Sequence, residues 1–256
     1  MKYKMIATDL DRTLLRSDKT VSEYTLDVLS RCQEAGVKVA IASARNYTAV
    51  VSTAEMIHSD GIVSGNGAVM RVGDWEYVVP MDRKEGEKLI RDLRTALPDT
   101  KIIAIISETV YSTFEYHNYH WIVDPIVTDF SVIPEGNITK VTVWQGSEED
   151  DRRLQKIIPE SCYATLAVGA LWQIMDKRAT KWQGICALAE HWGINREEII
   201  CFGDDIDDIC MIEEGGHGVA MINSMPAVLE IAEHLTEFNN DEDGVAKYLE
   251  KIMETT

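Results

Sequence analysis

Cationic side chains are scarce in this sequence. Lys and Arg number 25 against 43 Asp and Glu, for a formal charge of −18. That balance argues against nucleic acid or an anionic membrane as a partner. Long apolar runs are missing too: none approaches the ~20 residues that cross a bilayer. The opening Met1-Lys2-Tyr3-Lys4 passes straight into a short strand, without the apolar h-region and small-residue cleavage site of a signal peptide. A cytoplasmic protein is expected. Cysteine is sparse and unpaired in pattern: Cys32, Cys162, Cys186, Cys201 and Cys210 are odd in number and include no Cys-x-x-Cys. Neither a zinc site nor a disulfide framework is indicated, and reduced core thiols are expected. There is no internal repeat and no low-complexity tail. The charge runs at 150–153 and 240–243 read as solvated faces and loops.

What is present is the make-up of an ordinary globular chain, 45% hydrophobic and 27% charged over 256 residues, with room for one or two domains. Met5-Ile6-Ala7 reads as a buried strand. Ser22 caps a helix with Leu26, Leu29 and Cys32 at spacing three, ahead of Gly36. A strand over Val37–Ala42, a helix over Tyr47–Ile57, a strand over Gly61–Val63 and a hairpin over Val69–Val79 follow. This alternation predicts a parallel sheet. From Pro80 the rhythm changes to helix, strand pair, strand, helix, strand pair, an α+β unit with an antiparallel sheet. We place it at residues 81–178. The alternation resumes with a helix over Thr180–Trp192, a strand over Glu198–Phe202 and a short strand over Gly218–Met221. Segments 1–80 and 179–256 thus form one discontinuous α/β domain around the insert.

The first strand runs into Thr8-Asp9-Leu10-Asp11-Arg12-Thr13. If strand geometry persists, Asp9, Asp11 and Thr13 share a face at the carboxyl end of a strand, the edge where open α/β sheets bind ligands. Two close carboxylates resist joint ionisation unless a cation or proton intervenes. In so acidic a chain an anionic substrate needs a local cation, and these carboxylates suggest Mg²⁺. Taken alone, the pattern is equally a polar turn. Its company shifts the balance: Ser43, Lys181 and the run Asp204-Asp205-Ile206-Asp207-Asp208 each follow a predicted strand of the same sheet.

With Asp9-Leu10-Asp11-Arg12-Thr13-Leu14-Leu15, Ala42-Ser43-Ala44-Arg45, Asn66-Gly67-Ala68, Lys181, Gly203-Asp204-Asp205-Ile206-Asp207-Asp208, Gly218-Val219-Ala220-Met221 with Asn223, and Asn240 to Ala246, the chain resembles the haloacid dehalogenase-like hydrolase superfamily. Within it the likeness is to Cof-type phosphatases with a type II, subclass B cap. The resemblance implies a Rossmann-like parallel-sheet core, an inserted α+β cap that closes over it and selects the leaving group, and a Mg²⁺-dependent phosphatase of a small phosphorylated metabolite such as a sugar phosphate. It implies Asp9 as nucleophile forming an aspartyl-phosphate, and Asp11 as acid and base. Mg²⁺ would be bound by Asp9, Asp204 and the Asp11 carbonyl, with Asp207 or Asp208 orienting waters or adding a ligand. Ser43, with Ala44, and Lys181 would hold the phosphoryl group, with Arg45 and Asp207 as further substrate contacts. Chemical neighbours of this reading are a phosphotransferase or mutase and a non-catalytic phosphometabolite-binding module.

Each member has a plainer reading. Ser43 alone caps a helix; Lys181 competes with Lys177 and Arg178; Arg45 is equally an exposed solvating side chain. Asn66, between glycines, suits a positive φ as well as a substrate. The stretch Tyr116-His117-Asn118-Tyr119-His120-Trp121 either lines a pocket or packs under the insert's sheet, and the His117/His120 spacing suggests no metal. Two positions depart from the resembled pattern. Arg12 stands where Gly is usual, which implies ~1–3 kcal/mol of strain if the site needs a special backbone angle. Asp207 stands where Asn is usual.

Overall fold

The computed structural model describes residues 2–115, 125–167 and 170–254. The aromatic stretch at 116–121 therefore lies outside the described residues. The first segment carries β1 (Met5–Thr8), α1 (Glu23–Glu34), β2 (Lys38–Ala42), α2 (Tyr47–Met56), β3 (Gly61–Ser64), β4 (Val69–Val72) and β5 (Trp75–Val78). The middle carries α3 (Arg83–Ala96), β6 (Ile102–Ile106), β7 (Thr109–Ser112), β8 (Ile126–Val127), β9 (Ile138–Trp144), α4 (Glu148–Ile157), β10 (Cys162–Ala167) and β11 (Leu171–Asp176). The last carries α5 (Lys181–Trp192), β12 (Ile199–Gly203), α6 (Ile209–Glu214), β13 (His217–Ala220), α7 (Pro226–Ile231), β14 (His234–Leu235) and α8 (Gly244–Glu254). The chain divides into two compact units. One holds Met1–Ala44, Val50–Tyr77 and Thr180–Thr256; the other holds Arg45–Ala49 and Val78–Ala179.

The first unit is an α/β layer structure on a sheet ordered β14-β13-β12-β1-β2-β3-β4-β5. β1 runs parallel to both β12 and β2, pairing Met5 with Ile199 on one side and with Lys38 on the other. β3 and β13 continue the parallel set, and β4 returns antiparallel. β1 is central, so both its faces are covered. Met5, Ile6, Ala7 and Thr8 are all fully buried, which explains an uninterrupted apolar run instead of alternation. Ile6, Leu29, Val39, Ile41, Val50, Phe202, Val219 and Leu249 make one core on the α1–α8 side. Removing an Ile or Phe side chain of this kind from water is worth ~1.5–3 kcal/mol. The capping signals act as expected. Ser22 accepts from the Thr25 amide ahead of α1, and Gly193 ends α5 in the left-handed region at φ 66°.

The second unit is built on a sheet ordered β10-β11-β9-β6-β7-β8, antiparallel apart from the short β7–β8 pair. α3 and α4 cover one face: Leu89, Ile90 and Leu93 of α3 and Leu154 of α4 pack with Ile102, Ala104, Val141, Val143 and Ile174. The two-residue strands β8 and β14 carry no sequence pattern long enough to announce them.

Candidate active site

The order β12-β1-β2-β3 sets four parallel strand ends side by side, and the chain leaves β1 for β2 on one side while β12 and β13 lie on the other. This is the topological switch point of an open α/β sheet, where a crevice forms at the carboxyl ends. Asp204 follows β12, Asp9 follows β1, Ser43 follows β2 and Asn66 follows β3. One oxygen of each of Asp9, Asp204 and Asp208 lies within 4.8 Å of the others, all three residues buried. This is a donor set of hard oxygens suited to a small divalent cation.

Lys181 is the first residue of α5, a position where a cation opposes the helix dipole. Two carboxylates offset that penalty: its Nζ donates to Asp9 Oδ1 at 2.7 Å and to Asp208 Oδ1 at 2.6 Å. Burial pulls the Lys181 ammonium toward neutrality, but the charges of Asp208 and Asp9 prevail and hold it firmly protonated. Asp9 itself is raised well above the ordinary carboxylate range by burial, opposed by Lys181 and reinforced by Asp208 and Asp204. Asp204 is pushed up to about 7, first by burial and then by Asp208, against Thr13, Arg12 and Lys181. Carboxylates raised by burial and by one another, together in one crevice, make this a candidate functional site.

Asp208 turns out to be the clamp of its loop. Its Oδ2 accepts the amides of Asp204 and Asp205 at 2.9 and 3.0 Å while Oδ1 holds Lys181. The side chain folds back over Gly203, where an added Cβ would stand 2.4 Å from the Cβ of Asp208. Thr13 Oγ1 donates to Asp204 Oδ1 at 2.9 Å, joining the first motif to the last. Ser43 is buried; its amide donates to Val63 O, and its carbonyl accepts from the Asn66 amide. Ala44 follows it at the same edge. Asn66 takes φ 59°, as the turn reading expects, and also donates from Nδ2 to Asp207 Oδ2 at 2.8 Å. Its Oδ1 is buried with no hydrogen-bond partner among the described residues. Gly67 has φ 93°, and a Cβ there would meet Thr180 O at 2.0 Å, so this loop packs directly on the N-cap of the Lys181 helix. Arg45 belongs to the second unit.

Asp11 is less enclosed. Lys19 Nζ lies 2.7 Å from its Oδ1, with both side chains partly exposed. Nothing eight residues downstream in the sequence signals that partner. Arg12 adopts φ 61°, the left-handed angle that glycine takes freely, so an Arg here is strained by ~1–3 kcal/mol. Residues that sequence reading did not single out for the site stabilise it. Asn223 Nδ2 donates to Arg12 O, Asn240 Nδ2 donates to Leu15 O, and Asp243 receives Arg16 and the hydroxyls of Ser22 and Thr25. Their only advance signal was membership of the tail that resembled the family.

A model of the haloacid dehalogenase-like hydrolases matches residues 6–249. The chain belongs to that family. It is therefore an enzyme, and most of the relatives it matches are named as phosphatases. The 5-amino-6-(5-phospho-D-ribitylamino)uracil phosphatase YitU of Bacillus subtilis is 30% identical to it, with 98% of each chain covered. The crystal structure of a haloacid dehalogenase-like hydrolase from Bacteroides thetaiotaomicron is similar at a TM-score of 0.84 and 25% identity, over 98% of this chain and 99% of that one. The solved structure of a HAD subclass IIB sugar phosphatase is similar in fold at a TM-score of 0.85 and 22% identity, over 98% and 99% of the two chains. Among the described residues of this hydrolase, no helix is long and apolar enough to cross a membrane.

Proposed function

We propose that this hydrolase is a cytoplasmic, Mg²⁺-dependent phosphatase of small phosphorylated metabolites that works through an aspartyl-phosphate on Asp9. The observation that carries the reading is the arrangement of Asp9: a buried carboxylate at the switch point, held by Lys181 through Oδ1 alone. That contact aims the carboxylate and leaves its second oxygen to attack phosphorus in line.

Asp9, Asp204 and the carbonyl of Asp11 would hold the ion, with Asp208 beside them. When bound, it offsets the charge of a phosphoryl group against the acidic cage. The chain's own groups supply the remainder. Lys181 stabilises the equatorial oxygens from a site that excludes water, where a fixed charge acts most strongly. Ser43 and Ala44 follow the adjacent strand, and the Ser43 hydroxyl and Ala44 amide would donate to the same oxygens. Asp11 gives a proton to the leaving oxygen and later takes one from water, which requires its carboxylate to leave Lys19. Asn66 donates to Asp207 and so gives that extra carboxylate a partner within the site. The inserted unit, residues 81–178 by sequence, serves as the substrate-selecting cap.

A panel of phosphate esters tests the proposal, with inorganic phosphate as the readout. Release that stops on chelation, returns with Mg²⁺ and is absent in Asp9→Asn is expected. Acid quenching should leave a phosphoryl group on the peptide bearing Asp9; its presence on any other residue overturns the nucleophile assignment.

A further inference from the structure

The Arg12 side chain lies over the acidic cage. Its Nε stands 3.2 Å from Asp204 Oδ2, the oxygen that Thr13 does not use. Its Nη2 donates to Asn223 O at 2.7 Å, and the Asn223 amide returns the contact to Arg12 O at 2.8 Å. Asn223 Oδ1 in turn accepts the Asn240 amide. The guanidinium is thus fixed at both ends, on a backbone angle that opposes any residue with a Cβ. Half of the Arg12 side chain faces solvent, while Asp204 is 3% exposed. Without Arg12, the three cage carboxylates would face, among the described residues, a single buried cation, Lys181.

We propose that Arg12 is a resident cation of the cage: it occupies Asp204 and competes with the divalent ion for that carboxylate, trading metal affinity for a cage that stays assembled without metal. The inference rests on the metal-binding reading above, and it assigns Arg12 a positioning role through Asp204. The affinity of an oxygen-ligand site follows the net charge of its donors. A guanidinium within hydrogen-bond reach of one donor removes a unit of that charge, and a half-exposed position discounts its effect without abolishing it.

The test is calorimetric titration of Mg²⁺ into the full-length, metal-free protein without substrate, alongside unfolding midpoints of the metal-free form. Arg12→Gln is expected to bind Mg²⁺ about three- to tenfold more tightly and to unfold more readily without metal. Arg12→Lys, which keeps the charge, should restore wild-type affinity to within about twofold. Arg12→Gly relieves the strained φ, so it should share the tighter binding while losing less stability than Arg12→Gln. Added monovalent salt should narrow the difference between wild type and Arg12→Gln. Equal or weaker Mg²⁺ binding by Arg12→Gln overturns the proposal, as does failure of Arg12→Lys to restore it. Ester hydrolysis by the same preparations separates the two readings: phosphate release with unshifted Mg²⁺ affinity defeats the role of Arg12 alone. A wild-type protein that binds no Mg²⁺ and releases no phosphate defeats both.

Discussion

Lys181 and Asp208 meet at 2.6 Å, and through that contact one carboxylate both anchors the site's ammonium and stitches together the loop after β12. The ammonium then spans to Asp9, so helix α5, strand β1 and the Asp204–Asp208 loop share one buried group.

Replacing Lys181 with Met should leave Asp9 and Asp208 without their cation. We expect kcat on any accepted ester to fall by at least about 10²-fold, from the loss of one preorganised charge. Stability should drop by roughly 3–5 kcal/mol in the metal-free protein, as for other broken buried ion pairs. Urea unfolding and steady-state kinetics read the two effects. Lys181→Arg should not restore turnover, because a planar fork does not fit two carboxylates shaped around an ammonium. Full activity in Lys181→Met would remove it from the mechanism.

The raised carboxylates set a pH dependence. Asp204 sits at about 7 in the fold, against an unfolded value near 3.9, so the folded state binds more protons in between. Stability of the metal-free protein should therefore be greatest below about pH 4 as far as this group is concerned, and fall as pH rises to about 7. Asp9, also raised, acts in the same direction. Saturating Mg²⁺ should flatten that fall, since the ion takes the place of the protons. Thermal unfolding across this range, with and without Mg²⁺, is the measurement; a metal-free protein that gains stability from pH 5 to 7 would contradict the assignment.

Gly67→Ala tests the packing of the β3 loop on α5. The new methyl would meet Thr180 O at 2.0 Å on a backbone at φ 93°. Destabilisation of roughly 2–5 kcal/mol is expected, with turnover lost alongside, because the collision bears on the cap next to Lys181. An unfolding midpoint within experimental error of wild type would show that the loop yields freely.

Asn66→Asp should place a second carboxylate against Asp207 in a partly buried setting, lowering activity by about tenfold or more. Asn66→Gly keeps the positive φ and removes only the amide, so the smaller loss measures the hydrogen bond by itself. Equal effects from the two substitutions would mean that the lost amide matters and the added charge does not, whereas an unchanged Asn66→Gly would mean that Asn66 matters for its backbone only.

Much of this architecture was legible from periodicity. The apolar run before Asp9, the Ser22 cap, and the spacing of Leu26, Leu29 and Cys32 correspond to β1 and α1 to within a residue or two. Arg12 and Asn66 were legible as positions of special backbone angle. The partners were not. Thr13 reaches Asp204, Asn223 reaches Arg12, and Lys19 reaches Asp11 by tertiary geometry, which no local pattern encodes. Asp208 illustrates the limit: five acidic and apolar residues in a row suggested a ligand, and only the fold shows its two oxygens engaged by Lys181 and two amides.

The order of strands has a consequence during synthesis. β1 leaves the ribosome well before its partner on one edge, β12, which begins at Ile199. At roughly 5–20 residues per second, a nascent chain waits about 10–40 s with that edge unpaired. The unpaired edge belongs to the fully apolar Met5-Ile6-Ala7 run, the kind of surface that recruits chaperones or neighbouring chains. The strand that leads into Asp9 is thus exposed to misassembly while the protein is being made.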